Sequence, residues 1–147
     1  MLLLGTKNSA SQTVLANGLI NMGATYRKYC KKNCSGTPAF TNNGTSLSLN
    51  HSGMYHLTAT LVGSGTVAGD VTAQLLINGN IVPAAFSSQT ITTATTELRT
   101  FVIDYYVLVD NTCVLGQTAT TPAVITLQNT GVGATFTAVT VNVDKVL

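Results

Sequence analysis

Charge is the scarcest thing in this chain. Asp, Glu, Lys and Arg together make up 8% of its residues, against about 25% in an ordinary soluble domain. Its mean hydropathy is +0.32. A lone molecule of this composition shows water a skin of Thr, Ala and Val and tends to associate. The deficit therefore implies that much of the surface faces identical neighbours, as in a permanent assembly. It argues against a free enzyme.

Other absences narrow the reading further. There is no Trp. No stretch approaches the ~18 apolar residues of a membrane span. The apolar start, Met1 to Gly5, is too short for a signal peptide and lacks a basic region before it. A chain made in the cytosol, with no membrane partner, is the expectation. Apolar spacing of three and four is nowhere sustained, so no helix is expected.

The groups that usually carry chemistry are few. His51 and His56 are the only histidines, and the five carboxylates Asp70, Glu97, Asp104, Asp110 and Asp144 form no spaced pair. His51 sits in a turn beside Ser52. His56 falls on the polar side of a strand pattern. Five positions apart on one strand, the two rings would point to opposite faces and could not chelate one metal. Three copies of His56 around a threefold axis could meet at a metal or anion, but a solvated or locally bonded ring is the simpler reading. Asp104 stands in an apolar run, where Arg99 or backbone donors are its expected partners.

Cys30, Cys34 and Cys113 are odd in number, so at least one is free or pairs between chains. Cys30 and Cys34 lack the further ligands a zinc site needs, and a cytosolic disulfide would be reduced. No Gly-rich loop opens a helix to cradle phosphate. Three matches to the glycosylation pattern, at Asn33, Asn43 and Asn50, are idle without an export signal. No enzyme activity, cofactor or metal is expected.

What the chain does have is period two. Tyr55, Leu57, Ala59 and Leu61 alternate with His56, Thr58 and Thr60, and Val71, Ala73, Leu75 and Ile77 form another apolar row. Leu98 to Val109 reads as a strand covered on both sides. Ile125 to Gln128 is a short strand, and Phe136 to Leu147 closes the chain with Val139, Val141 and Val143 on one face. β-branched residues suit a pleated, half-buried surface. Turn residues punctuate these runs, with Asn78-Gly79 the plainest hairpin signal. Pro83 belongs at a sheet edge. The segment 89–96 reads as an exposed polar loop with a strand tip. At 147 residues one domain is expected, and short strands without intervening helices indicate an all-β sandwich or jelly roll.

The remaining charge is unevenly placed. Arg27, Lys28, Lys31 and Lys32 are four of the seven basic residues. This collar reads either as a solvated loop or as a contact to an acidic partner, such as an underlying protein shell or a phosphate-rich surface. It is too short, and too poor in aromatics beyond Tyr26 and Tyr29, to suggest nucleic acid.

The run Ser52-Gly53-Met54-Tyr55-His56-Leu57 resembles the Gly-x-Tyr-x-Phe signature of the complement-q and tumour-necrosis-factor jelly rolls. Phe40 and Leu47 to Leu49 stand where that family has its preceding short strands. The segment 74–82 is similar to its following hairpin, and Phe136 to Leu147 to its closing strand. Leu57 and Ala59 replace residues that are typically aromatic there. The Thr/Ala/Val-rich body, and the stretch 17–30, look closer to the bacteriophage branch than to the secreted one. The resemblance spans residues 14–147 and implies a homotrimer of jelly rolls. The first ten residues, through Ala10, read as a flexible arm or a docking strand, so residues 1–13 are expected to form an N-terminal docking arm.

On that resemblance, Tyr55, Phe101, Tyr105, Tyr106 and Phe136 are candidates for the trimer interface or the core. Arg27, Lys28, Lys31 and Lys32 are candidates for docking on a platform. The implied role is a structural virion protein of a tailed phage, a capsid-decoration or head-fibre subunit whose partners are itself and capsid or tail proteins. The alternative is a receptor- or glycan-binding head of a phage fibre, or a bacterial surface-layer or spore-coat protein. Its contacts would lie on loops 63–69, 87–96 and 118–121.

Overall fold

A computed structural model describes residues 1–30, 36–110 and 119–147. The described residues contain no helix and form eleven strands. In chain order these are β1 (Leu2–Asn8), β2 (Gln12–Val14), β3 (Ala24–Cys30), β4 (Phe40–Asn42), β5 (Leu47–Leu49), β6 (Gly53–Gly65), β7 (Gly69–Ile77), β8 (Asn80–Ile91), β9 (Arg99–Val109), β10 (Ala123–Asn129) and β11 (Ala134–Lys145).

Two antiparallel sheets result. One has six strands in the order β3-β1-β11-β6-β9, with β2 also paired to β11. The other has five, in the order β4-β5-β10-β7-β8. This is a jelly-roll sandwich, as the strand spacing implied.

Alternation decides what lies between the sheets. On β6, Tyr55, Leu57, Ala59 and Leu61 are all buried, as are Val139, Val141 and Val143 on β11. They meet Leu47, Leu49, Val71, Leu75, Ile125 and Leu127 of the five-stranded sheet. Burying such side chains contributes roughly 1.5–3 kcal/mol each for the larger ones, so one continuous core holds the two layers together. Two edge-to-face aromatic pairs, Phe40 with Tyr55 and Phe101 with Phe136, fix the core's two ends. Gly53 opens β6 at positive φ, and a Cβ there would lie 2.2 Å from the Leu147 carbonyl oxygen. The Gly-x-Tyr signal is thus a place where the chain's last residues cross over the start of β6.

The hairpin read from Asn78-Gly79 is present, with Ile77 opposite Asn80 and both turn residues at positive φ. β8 lies at an edge, as Pro83 requires, and runs on to Ile91, so residues 87–91 are strand where a loop was expected. The β7–β8 register shifts between Gln74 and Leu76. The buried Gln74 amide fills that bulge by donating to the carbonyls of Val82 (2.7 Å), Ala85 (3.1 Å) and Leu75 (3.2 Å).

Two expectations need correction. Residues 2–8 are not a free arm: β1 lies within the six-stranded sheet, paired with β11 on one side and β3 on the other. Leu4 and Thr6 point into the core. The Leu-Leu-Leu start supplies an inward row that an appendage would leave in water. The strand β9 is likewise not covered on both sides. It forms the sheet's edge, with Phe101, Ile103, Val107 and Val109 buried and Val102, Asp104 and Tyr106 exposed on the other face.

Candidate functional site: the outward face of the six-stranded sheet

The inward rows leave a second row on each strand of this sheet. β6 turns out Met54, His56, Thr58 and Thr60; β9 turns out Val102, Asp104 and Tyr106; β11 turns out Thr140, Asn142 and Asp144. Cross-strand register places His56 opposite both Tyr106 and Asp144, with Asp104 one step along beside Thr58.

The His56 ring stacks on Tyr106, with centroids 4.8 Å apart and planes 25° from parallel. Its Nε2–H donates to Asp104 Oδ1 at 2.5 Å, and Nδ1 lies 3.6 Å from Asp144 Oδ1. A carboxylate can only accept, so the first contact sets the tautomer. Asp144 lies beyond hydrogen-bond length and acts as a Coulombic neighbour. His56 is therefore held by Asp104, 48 positions along the chain from it, with Asp144 nearby.

At the other side of the face, the Tyr26 hydroxyl donates to Asn142 Oδ1 at 3.0 Å. Its ring lies over Gly5, where a Cβ would be only 2.8 Å from the ring. Gly5 is what lets Tyr26 lie flat on the sheet. The β1–β3 register shifts between Gly5 and Thr6, and Arg27 stands opposite Gly5 with Tyr29 opposite Leu3. Tyr26, Tyr29, Val102 and Tyr106 are each 52–54% exposed. A flat face with three tyrosines suits a macromolecular partner, since Tyr offers apolar area and a hydroxyl that must find a hydrogen bond.

The sequence-derived candidates separate cleanly. Tyr55, Phe101 and Phe136 fill the protomer's own core, and Tyr105 packs against it. Of the five, only Tyr106 faces outward. Burial pushes the Tyr55 hydroxyl up to about 12, and it donates to the His51 carbonyl at 2.7 Å. Arg27 and Lys28 are exposed on β3. Lys31, Lys32, Cys34 and Cys113 lie outside the described residues, as does the Cys30 side chain.

Asp104 pairs with His56, not with Arg99. Arg99 instead binds Glu97, at the end of the β8–β9 loop. The Glu97 carboxylate is held down at about 2 by the backbone N–H of Thr93, then by the N–H and hydroxyl of Thr92, with Arg99 adding a smaller effect. His51 contacts the Thr37 carbonyl at 3.1 Å. Among the described residues, no three His, Cys, Asp or Glu side chains gather into a metal-holding group.

One further concavity, of about 480 Å³, lies where the β7–β8 turn approaches β9. Tyr105, Val82, Leu108, Asn78 and Asn80 line it. Asn78 Oδ1 already accepts the Val124 N–H at 2.8 Å, and Asn80 Nδ2 reaches the Asn78 carbonyl at 3.4 Å.

No protein-family model matches the sequence, and no curated protein matches it significantly. Solved structures do match in shape. The globular domain of zebrafish complement 1qA protein superposes with a TM-score of 0.63 at 7% identity, covering 100% of this chain and 98% of that one. Eiger, a tumour necrosis factor of S. frugiperda, gives 0.66 at 11% identity, covering 99% and 91%. The fold is the complement-q and tumour-necrosis-factor jelly roll. The same jelly roll is shared more loosely by the PRD1 vertex protein P5, with a TM-score of 0.51 at 18% identity, covering 99% and 97%. At these identities the likeness concerns the fold alone.

Proposed function

We propose that this chain is a non-enzymatic structural subunit of a bacteriophage virion, working as a homotrimer that decorates the capsid or forms a head fibre. One observation carries the reading. In a chain with 8% charge, no element among the described residues covers the outward face of the six-stranded sheet, and Tyr26, Tyr29, Val102 and Tyr106 are half exposed on it. Sister copies covering that face would remove the apolar area from water, at ~25 cal/mol per Å². A closed cyclic trimer leaves no uncovered copy of the face. The virion location draws on the shared fold of the PRD1 vertex protein.

Since β1 belongs to the sheet, anchoring on the particle falls to the end of β3, where Lys28 is exposed, with Lys31 and Lys32 continuing the basic run. The mechanism is binding throughout: apolar faces close on one another, and the basic end meets an acidic platform.

Light scattering on the purified chain tests the assembly. A mass of three times 15.3 kDa, stable to dilution, is expected; a folded monomer would end the reading. Antibody labelling of purified phage particles tests the location. A second reading, a glycan-binding head, is favoured by the cavity beside Tyr105, which joins an aromatic surface to Asn78 and Asn80 amides. The loops 63–69 and 92–96 offer no such ring. Specific glycan-array binding lost on Tyr105→Ala would select it.

A further inference from the structure

The outward face is divided by charge. Its β1 and β3 side carries cations, Lys7 and Arg27, both exposed. Lys7 alternates with the buried Thr6, and Arg27 stands opposite Gly5 on the Tyr26 side of the sheet. Its β9 edge carries Asp104 and its central strand β11 carries Asp144, with His56 of β6 between them. Arg99 does not offset them, because it alternates with the outward Thr100 and is bound to Glu97.

Arg27 and Asp104 cannot meet within one chain. β3 and β9 are the two edges of the sheet, separated by β1, β11 and β6. Four strand spacings make that distance about 19 Å. The Asp104 side chain remains 63% exposed despite its bond to His56, so it can accept a second donor. The aromatics are divided in the same way, with Tyr26 and Tyr29 on β3 and Tyr106 with Val102 on β9.

We infer that the β3 edge of one copy docks against the β9 edge of the next, with Arg27 of one chain on Asp104 of its neighbour and Tyr26 and Tyr29 against Tyr106 and Val102. The occupant of each edge is thus a second copy of this chain, joined head to tail. Such a heterologous contact uses two different patches, and a ring of them closes when the rotation per step allows it. The inference rests on the trimer reading and specifies which surfaces make it. It also moves Arg27 from the platform-docking set to the subunit interface and leaves Lys28, opposite the inward Leu4, on the other side of β3.

Charge reversal tests this. Four full-length proteins are compared by light scattering over a dilution series, with circular dichroism to check the fold: the wild type, Arg27→Glu, Asp104→Arg, and the double variant. Each single reversal sets like charges against each other at all three contacts, and should raise the concentration for half-assembly about tenfold or more. The double variant restores opposite charges at each contact and should assemble like the wild type. Mixing the two single variants should restore trimer only in part, since an odd ring cannot alternate two kinds of chain without one mismatch. Wild-type trimers with unaffected single variants would overturn the pairing and leave the trimer reading intact. Single variants that dissociate while the double variant does too would also overturn it. A monomeric wild type would overturn both.

Discussion

The two sheets of this sandwich have similar inward faces and very different outward ones. Outside the five-stranded sheet, short polar side chains satisfy one another across strands. Thr72 and Ser88 hydroxyls lie 2.8 Å apart, and the Thr90 hydroxyl donates to Asp70 at 2.6 Å. Gln128 donates to the Asn17 carbonyl at 2.8 Å. Most of that face is finished in this way, and Phe86 and Ile81 of the edge strand β8, both about half exposed, are its apolar exceptions. Outside the six-stranded sheet stand tyrosines, Val102, a stacked histidine, and Arg27 and Asp104 on opposite edges. The charge shortage of the whole chain is thus not spread evenly: one face answers it mostly with hydroxyls and amides, and the other, on the proposed reading, with a partner.

The largest effect should come from breaking what both faces share. Tyr55→Asp puts a carboxylate among fully buried neighbours and removes the hydroxyl's bond to His51. A buried unpaired charge costs several kcal/mol, so no folded, thermally cooperative protein is expected in circular dichroism.

Next come paired substitutions that separate the faces. Tyr106→Asp should keep a folded chain by circular dichroism while abolishing assembly. Thr126→Asp, on the outward row of β10, should leave both unchanged. Equal loss of assembly from the two, read by light scattering, would erase the contrast.

Gln74→Leu acts on the five-stranded sheet alone. It strips the amide donor from the bulge carbonyls of Val82 and Ala85 and should cost about 1–3 kcal/mol in denaturant unfolding, with assembly intact once folded.

The smallest effect concerns the tip of the β8–β9 loop. Glu97 is held at about 2 in the fold, below its ordinary 4.5. Its contribution is therefore complete above pH ~4.5 and is lost as pH falls towards ~2. Hydrogen exchange at the Thr92 and Thr93 amides should quicken across that window in the wild type. In Glu97→Gln it should be fast throughout.

Much of the fold was legible because its signals are local. The alternation in β6, β7 and β11, the Asn78-Gly79 turn and the edge proline each depend on neighbours in sequence, and each appears where those residues require. What could not be read depends on distant partners. The leucines of β1 look like an arm until β11 and β3 are placed on either side of them. The run in β9 looks doubly covered because Val102 and Tyr106 are as apolar as their inward neighbours; only its edge position leaves them exposed. The bracing of His56 by Asp104 joins residues 48 positions apart. No spacing rule links them, and the nearer Arg99 was the natural guess. The three aromatic candidates of β9 are sorted by parity: Phe101 and Tyr105 share one side and Tyr106 takes the other.

Phe86 and Tyr106 allow the most direct test, because each is 53% exposed in the single chain, one on each sheet. Hydroxyl-radical footprinting of the native protein, read by mass spectrometry, compares them under identical conditions. Strong protection of Tyr106 with ready oxidation of Phe86, and loss of that protection in Arg27→Glu, is the predicted result. Equal oxidation of both rings in the undiluted wild type would contradict the claim that copies of this chain cover the six-stranded sheet.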